Sequence, residues 1–288
     1  MRARVRYWLA PGLPSIELIA ADYVAQRFSP HWHTGFAIGV VTQHAQGFHA
    51  GGRAWVIGPG DVIVLNPSQI HDGYALGPAG WSSRMIYVPE ADFGALAGAP
   101  RGDAMGFTLR FATAMVHAPA LWQAVLDWHC LAESATDLRG HRLSLDLFNG
   151  LRALMQPSDL GMAAQHRPPG TQGLREKLLA QAGHGDARVA SLNAELELSR
   201  YGAWRRVKNE LGFAPKPLLS QLRLMSAKER LARGSRVIEA ALDSGYHDQS
   251  HFSRQFAAAY GMTPAQFRRV QLARGSGLKV SIGLWRIS

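Results

Sequence analysis

Residues 237–256 carry the pattern that most restricts how this chain can fold. An apolar stretch is followed by a short polar segment that contains Gly245. Because glycine adopts positive φ without steric cost, this segment predicts a tight turn between two helices. Asp248 can cap the second helix, in which Phe252 and Phe256 are spaced to form a buried stripe. The pattern therefore predicts a helix-turn-helix unit.

The other faces of that second helix carry polar side chains. Donors and acceptors of this kind can contact both the base edges and the phosphates of duplex DNA. We predict DNA contacts from four of these side chains, namely Gln249, Ser250, His251 and Arg254. A packing role is the alternative for His251.

A similar unit precedes it in residues 189–208. Ser199 can cap the second helix of this unit, although Gly202 inside that helix costs up to about 1 kcal/mol relative to alanine. The side chains predicted to reach DNA from this helix are Arg200, Tyr201, Trp204, Arg205 and Lys208. For Trp204, a packing role is again the alternative. Residues Pro217–Leu231 predict a connecting helix that holds the two units at a fixed separation.

The distribution of charge agrees with a DNA-binding C-terminal region. The 288 residues have a formal net charge of +10 at pH 7. Residues 1–157 contain 11 Lys and Arg against 11 Asp and Glu, whereas residues 171–288 contain 19 against 9. The whole excess therefore lies in the C-terminal region. A basic region joined to a neutral one predicts a polyanion-binding module attached to another function.

Residues 175–270 resemble the DNA-binding domain of the AraC/XylS family of bacterial transcription regulators. The resemblance rests on Ala240–Phe256 and Tyr260–Arg268. It implies that the second helix of each unit enters the major groove of duplex DNA. It also implies a transcription regulator that works with RNA polymerase. The first unit departs from the family pattern at Glu197, where a turn glycine is common, and at Ala203, where a larger apolar residue is usual.

Residues 1 to about 115 consist of short β-type runs separated by turn residues. Examples are Phe36–Thr42, Ala54–Ile57, Val62–Leu65 and Met85–Val88. Many short strands at close spacing predict a β-sandwich or a barrel.

Residues 28–90 resemble the cupin-like β-barrel that serves as the effector domain of many AraC-family regulators. The matching residues include Pro30–His33, Gly58–Asp61, Asn66–Pro67 and His71–Gly73. The resemblance implies a closed barrel with room for one small ligand. Because histidines, tryptophans and Arg84 are expected near one pocket, we expect a polar or amphipathic effector. The side chains predicted to contact the effector are His31, His33, Trp55, His71, Tyr74 and Arg84. For Trp55, Tyr74 and Arg84, an ordinary core position is the alternative.

The same resemblance raises the question of a metal. Cupin enzymes hold one with a His-x-His pair, a glutamate that follows it and a later histidine. His31, His33 and His71 match the histidines in order, but Phe36-Ala37-Ile38 stands where the glutamate is expected. We therefore expect no metal, no other cofactor and no enzymatic activity. Three imidazoles can still bind zinc or iron, so a cupin-type metalloenzyme fused to a DNA-binding domain is the alternative function. A non-cupin binding fold in residues 1–115 is also possible.

Residues 119–156 predict two helices. Pro119 suits a first helical turn, and the second helix carries an apolar stripe that includes Leu147 and Leu151. Apolar residues cover more than one face of each helix. One face is therefore expected to pack on the barrel, and another on a second copy of the chain. We expect Leu147 and Leu151 to lie in this homodimer interface.

Together these features predict an α+β multidomain protein. A cupin-like effector-binding and dimerisation domain spans residues 1–157, a linker 158–173, an all-α double helix-turn-helix domain 174–270, and a tail of unknown role 271–288. The single cysteine, Cys130, allows no intrachain disulfide. No run approaches the about 18 apolar residues of a membrane helix. We therefore expect a cytoplasmic protein that contacts double-stranded DNA, a small effector and its own copy, and no membrane.

Overall fold

The computed structural model describes residues 4–97, 108–158, 202, 205 and 215–273. The chain divides into two compact units, one of Met1–Gly161 with Ala273–Ser288 and the other of Met162–Leu272, so the first division falls between Gly161 and Met162. This point lies inside the predicted linker. The bounds of the linker and the role of the tail stay predictions, because almost all of both segments lies outside the described residues.

The N-terminal unit is built from antiparallel sheets. The larger one contains, in spatial order, β1 (Arg4–Ala10), β2 (Leu13–Tyr23), β9 (Trp81–Val88), β4 (Phe36–His44), β7 (Asp61–Leu65) and β11 (Met115–His117). The four-stranded sheet contains β3 (Arg27–His31), β8 (His71–Ala75), β5 (Gln46–Ala50) and β6 (Arg53–Ile57). A short pair joins β10 (Thr108–Phe111) to β12 (Met155–Ser158).

The predicted closed barrel is wrong, because the described strands form separate sheets with open edges. Strands β1 and β11 bound the six-stranded sheet, and β3 and β6 bound the four-stranded sheet. Pro30 in β3 has no amide proton to donate, which suits an edge strand. The pairing of β3 with β8 is also irregular between Phe28 and His31. The broader prediction of a sheet-rich N-terminal domain and a helical C-terminal domain is confirmed.

Both faces of the six-stranded sheet are buried. One face packs against the four-stranded sheet around Phe48, Ile63 and Trp81. The other face packs against helices around Ile86 and Trp128. Successive side chains of a central strand therefore point into two different cores, as in a layered α/β arrangement. Neither face of such a strand meets solvent.

The helices of this unit are α1 (Glu90–Leu96), α2 (Pro119–Ser134) and α3 (Arg142–Ala153). Pro119 occupies the first turn of α2, as predicted. Leu147 and Leu151 are at most 1% exposed and belong to the core that α3 forms with the sheet. The expectation that they lie in a dimer interface is therefore wrong. The leucines that α3 leaves exposed are Leu143 and Leu145.

The described part of the C-terminal unit is helical, with α4 (Pro215–Ala232), α5 (Val237–Asp243), α6 (Gln249–Tyr260) and α7 (Pro264–Leu272). Helix α4 extends over the predicted connecting helix, and its Leu218, Leu222 and Leu231 are buried. Helices α5 and α6 form the predicted helix-turn-helix, with Gly245 at a φ of 82° in the turn. Within the described ranges, no helix has both the length and the apolar character needed to cross a bilayer.

Candidate DNA-binding helix and histidine cluster

Helix α6 is fixed at both ends and along one side. At its start, the Asp248 carboxylate accepts a hydrogen bond from the backbone amide of His251 at 2.7 Å. This bond holds the pKa of the Asp248 carboxyl below its usual range. At its end, Gly261 adopts a φ of 69°, the left-handed conformation that favours glycine. Phe252 and Phe256 are fully buried, so the predicted cap and the predicted buried stripe are both confirmed.

The polar residues predicted to contact DNA lie on the surface of α6. Ser250, His251 and Arg254 are exposed on the side opposite the two buried phenylalanines. Gln249 is exposed in the first turn. The capped helix thus presents a row of donors and acceptors to solvent, a mix of groups that can contact base edges and phosphates.

His251 is held by a hydrogen-bond network that sequence reasoning left unassigned. The Gln255 side-chain amide lies 3.0 Å from Nε2 of His251. The Gln255 carbonyl oxygen accepts hydrogen bonds from the Ser220 hydroxyl at 3.0 Å and the Tyr246 hydroxyl at 3.1 Å. With its carbonyl so occupied, Gln255 donates to Nε2, and a neutral His251 carries its proton on Nδ1. The spacing of His251 and Gln255, four residues apart in a helix, was the available signal.

The first unit is described at two positions. Gly202 and Arg205 are helical, and Arg205 is exposed, which agrees with the predicted helix. The other residues predicted to contact DNA from this unit lie outside the described residues, namely Arg200, Tyr201, Trp204 and Lys208.

Some basic residues of the C-terminal unit stabilise the domain itself. The Arg268 guanidinium donates to the backbone carbonyls of Gly234, at 2.9 Å, and Ser235, at 2.8 Å. It thereby fixes the connection between α4 and α5. Arg230 forms an ion pair with Asp243 at 3.0 Å. Part of the positive charge of this region is therefore neutralised internally.

The N-terminal unit contains a cluster of three histidines. The ligand nitrogens of His31, His33 and His71 all lie within 4.8 Å of one another. The imidazole centroids of His31 and His71 are 4.2 Å apart, and the Tyr87 ring lies 4.6 Å from that of His33. The structure thus brings together the three histidines that the sequence pattern grouped.

Backbone carbonyls and one loop orient this cluster. Nδ1 of His31 lies 2.9 Å from the Ser29 carbonyl oxygen, and Nδ1 of His71 lies 2.9 Å from that of Gln69. Since a carbonyl only accepts, each Nδ1 carries a proton and each Nε2 keeps its lone pair. The Ser68 amide donates to the His33 carbonyl at 2.8 Å. Residues 66–70 therefore position two of the three histidines.

Burial keeps two of these rings neutral. Desolvation lowers the pKa of His31. Desolvation, and next the nearby His31, lower the pKa of His71 to about 3. Both are therefore neutral bases at pH 7.

Of the other three predicted effector contacts, Trp55 faces the space between the sheets, whereas Tyr74 and Arg84 do not. Trp55 packs against Phe48 between the sheets. Tyr74 lies beside Arg27 and His49, on the face of the four-stranded sheet that points away from the six-stranded sheet. Successive side chains of a strand point to opposite faces, so Tyr74 and His71, three residues apart in β8, lie on opposite faces of the sheet. The expectation that Tyr74 lines one pocket together with the histidines is therefore wrong.

The prediction that Arg84 lines the same pocket as the histidines is also wrong. Arg84 lies on the face of β9 that packs against α2, where it forms an ion pair with Glu133 and lies 3.2 Å from Nδ1 of His129. His129 is fully buried, and its Nε2 donates to the Ile19 carbonyl at 3.1 Å. Arg84 thus fastens α2 to the sheet, a role that the sequence pattern did not indicate.

Comparison with known families places both halves of the chain. Residues 13–182 match the model of the AraC-like ligand binding domain, and residues 192–270 match a model of a helix-turn-helix domain. The first match alone covers more than half of the chain. The chain belongs to the AraC family of transcription regulators.

Relatives of this AraC-family regulator carry names of the same kind. An uncharacterized HTH-type transcriptional regulator of Bacillus subtilis, YbfI, is 26% identical over 251 residues, which cover 82% of this chain and 85% of YbfI. The HTH-type transcriptional regulator MtrA of Neisseria gonorrhoeae is 31% identical over 85 residues, 29% of this chain and 27% of MtrA. The names of these relatives are those of transcription regulators and not of enzymes.

Solved structures share the fold over most of the chain. An apo variant of ToxT from Vibrio cholerae has a TM-score of 0.55 at 12% identity and covers 91% of this chain and 99% of that protein. ToxT bound to an unsaturated fatty acid has a TM-score of 0.50 at 14% identity, with 94% of this chain and 96% of that protein covered. The two family models, and not these structures, identify this AraC-family protein as a DNA-binding transcription regulator with an N-terminal ligand-binding domain.

Proposed function

We propose that this regulator reads operator DNA through the exposed face of α6 and through the helix that contains Arg205, and that a small effector in the N-terminal unit controls this binding. The observation that carries the proposal is the capped, phenylalanine-anchored α6 with its exposed polar row. A helix held in this way can enter a major groove with little further loss of conformational freedom.

The residues of α6 divide the work of binding. His251, with its proton on Nδ1, presents a donor that suits the acceptor atoms of a guanine edge or a phosphate. Arg254 lies one turn further along the same face and is suited to a backbone phosphate. Arg205 is the corresponding base reader of the first unit, and Arg200, Tyr201, Trp204 and Lys208 accompany it as proposed contacts.

The effector is proposed to bind near His31, His33, His71 and Trp55. Neutral imidazoles beside the aromatic rings between the sheets favour a small polar or amphipathic molecule over a large apolar one. The fatty acid bound by ToxT is not carried over, since likeness at 14% identity concerns the fold. An effector changes DNA binding only where it binds one arrangement of the protein better than another.

The further partners follow from the family. We propose that the regulator acts as a homodimer in the cytoplasm, where a pair of copies doubles the DNA contacts, and that it acts on RNA polymerase. The bound ligand, in this proposal, serves as a signal and undergoes no reaction.

The decisive experiment for the DNA interface compares two arginine variants of the full-length protein. A binding site is first selected from a random pool of duplexes. Arg254→Ala should then weaken binding to the selected and to scrambled duplexes alike, and should reduce the slope of log affinity against log salt by about one. Arg4→Ala removes the same charge from an exposed position at the start of β1 in the N-terminal unit and is the matched control. Equal effects of the two variants would show that net charge, and not the α6 face, determines binding.

A further inference from the structure

The histidine cluster has the dimensions of a metal site. Zinc binds imidazole nitrogen at about 2.0–2.1 Å, which places tetrahedral ligand nitrogens about 3.4 Å apart. The corresponding nitrogens of His31, His33 and His71 lie within 4.8 Å of one another. Among the described residues, this is the one group of three His, Cys, Asp or Glu side chains that meets such a distance condition.

The orientation of the rings also fits a metal. A histidine ligand usually donates the N–H of its other ring nitrogen to a carbonyl or carboxylate, which fixes the tautomer and aims the ligating nitrogen at the ion. His31 and His71 both make this bond through Nδ1, to the carbonyls of Ser29 and Gln69. Gln69 is itself fixed, because its side-chain oxygen accepts the Asn66 amide at 2.9 Å.

We propose that His31, His33 and His71 bind one divalent transition-metal ion of the zinc class through their imidazole nitrogens. The sequence alone favours no metal, because the glutamate of the cupin-type pattern is missing. The structure shows that the nitrogens of the three histidines lie close together although this glutamate is missing. Three neutral ligands leave the full double positive charge and at least one coordination position to water or another donor. This position suits an effector with an anionic or amine donor, a step that rests on the proposed function.

The first test measures metal binding by the full-length, tag-free protein after treatment with a chelator. Titration with Co²⁺ should reach saturation at one ion per chain and produce the visible absorption of a low-coordinate cobalt site. Added Zn²⁺ should then displace the cobalt. A titration that shows no saturable site, or several weak ones, overturns the proposal.

The second test uses histidine variants. His33→Gln and His71→Gln should each weaken Co²⁺ and Zn²⁺ binding at least about 100-fold, since changes in the outer partners of a ligand already cost 10- to 100-fold. His49→Gln is the matched control, because His49 is bonded to Asp72 at 2.9 Å and lies outside the cluster. Circular dichroism establishes that each variant is folded, and the half-buried His33 supplies a second variant should the more buried His71 be needed for folding.

These outcomes are independent of DNA binding. Equal affinity in wild type, His33→Gln and His71→Gln would overturn the metal site even if the protein binds its operator. If the wild-type protein binds no operator DNA, the proposed regulation is overturned, whereas the metal site is unaffected by that result. Metal affinity is therefore measured without DNA, and operator binding is measured separately with Arg254→Ala.

Discussion

His129 illustrates how a single buried side chain can make stability depend on pH. The ring is fully buried between β2 and α2, and Trp8 packs against it with centroids 4.9 Å apart. Desolvation, and next the nearby Arg84, lower the pKa of His129 to about 3. Between pH 6.5 and 3 the unfolded chain therefore binds one proton that the folded protein does not. The stabilising contribution is complete above pH 6.5 and is lost as the pH falls through this window.

We expect His129→Gln to reduce this dependence. A glutamine can donate to the Ile19 carbonyl and accept from Arg84, as the histidine does, but it has no proton to gain. Each such group contributes about 1.4 kcal/mol per pH unit, so the loss of stability between pH 7 and 5 should be smaller by about 2 kcal/mol in the variant. Urea unfolding followed by tryptophan fluorescence measures it. An unchanged pH dependence contradicts the role of His129, and His44→Asn, an exposed change, is the control.

For single residues, the sequence indicates which side chains belong together better than it indicates which face of a strand a side chain lies on. The grouping of His31, His33 and His71 follows from their motif, because the resemblance fixes their order and spacing. Arg84 could not be placed in the same way. It lies in β9, whose two faces are both buried, so the alternation of apolar and polar residues does not indicate which face meets a ligand and which meets a helix.

At the scale of elements, the start of α6 depends on one side chain. Asp248 accepts the amide of His251, one of the four amides that a helix leaves unpaired. Asp248→Ala should lower the free energy of unfolding of the C-terminal unit, because the amide of His251 loses its acceptor. Since His251 sits in the same turn, operator affinity should fall as well. Thermal or urea unfolding and DNA titration measure the two effects.

Asp248→Asn separates the hydrogen bond from the charge. Asparagine caps a helix about as well as aspartate, so this variant should keep most of the stability. If it loses as much as Asp248→Ala, the contribution of Asp248 is the interaction of its charge with the helix end rather than the hydrogen bond.

The sequence predicts correctly those features of α5 and α6 that depend on residues close together in the chain. The cap, the Gly245 turn and the Phe252 and Phe256 spacing act within a few residues, and the structure confirms each of them. The pairing of strands depends on contacts between distant segments. Strand β2 pairs with β9, for example, so that Ile19 lies opposite Met85. No local pattern distinguishes such a pair of layered sheets from a closed barrel, which is why the barrel prediction failed.

At the scale of the whole molecule, the proposed homodimer needs a surface that the core does not use. Leu147 and Leu151 are excluded by burial, whereas Leu143 and Leu145 are 38% and 43% exposed on α3. Large apolar side chains exposed on a helix are candidates for contact with a second copy. If α3 pairs in this way, both DNA-binding units of each copy are brought to one operator, and the affinity of the pair exceeds that of either copy.

We therefore expect Leu145→Arg to convert the protein from a dimer of twice the 31.4 kDa chain mass to a monomer. The arginine side chain would place an unpaired charge in the interface of both copies at once, because a two-fold contact repeats each substitution. Leu76→Arg is the matched control, since Leu76 is 47% exposed in the same unit but lies in the turn before β9. Sedimentation velocity measures the mass, and operator titration should show weaker binding by the monomer. A wild-type protein that sediments as a monomer at micromolar concentration contradicts the homodimer, and a variant that stays dimeric places the interface away from α3.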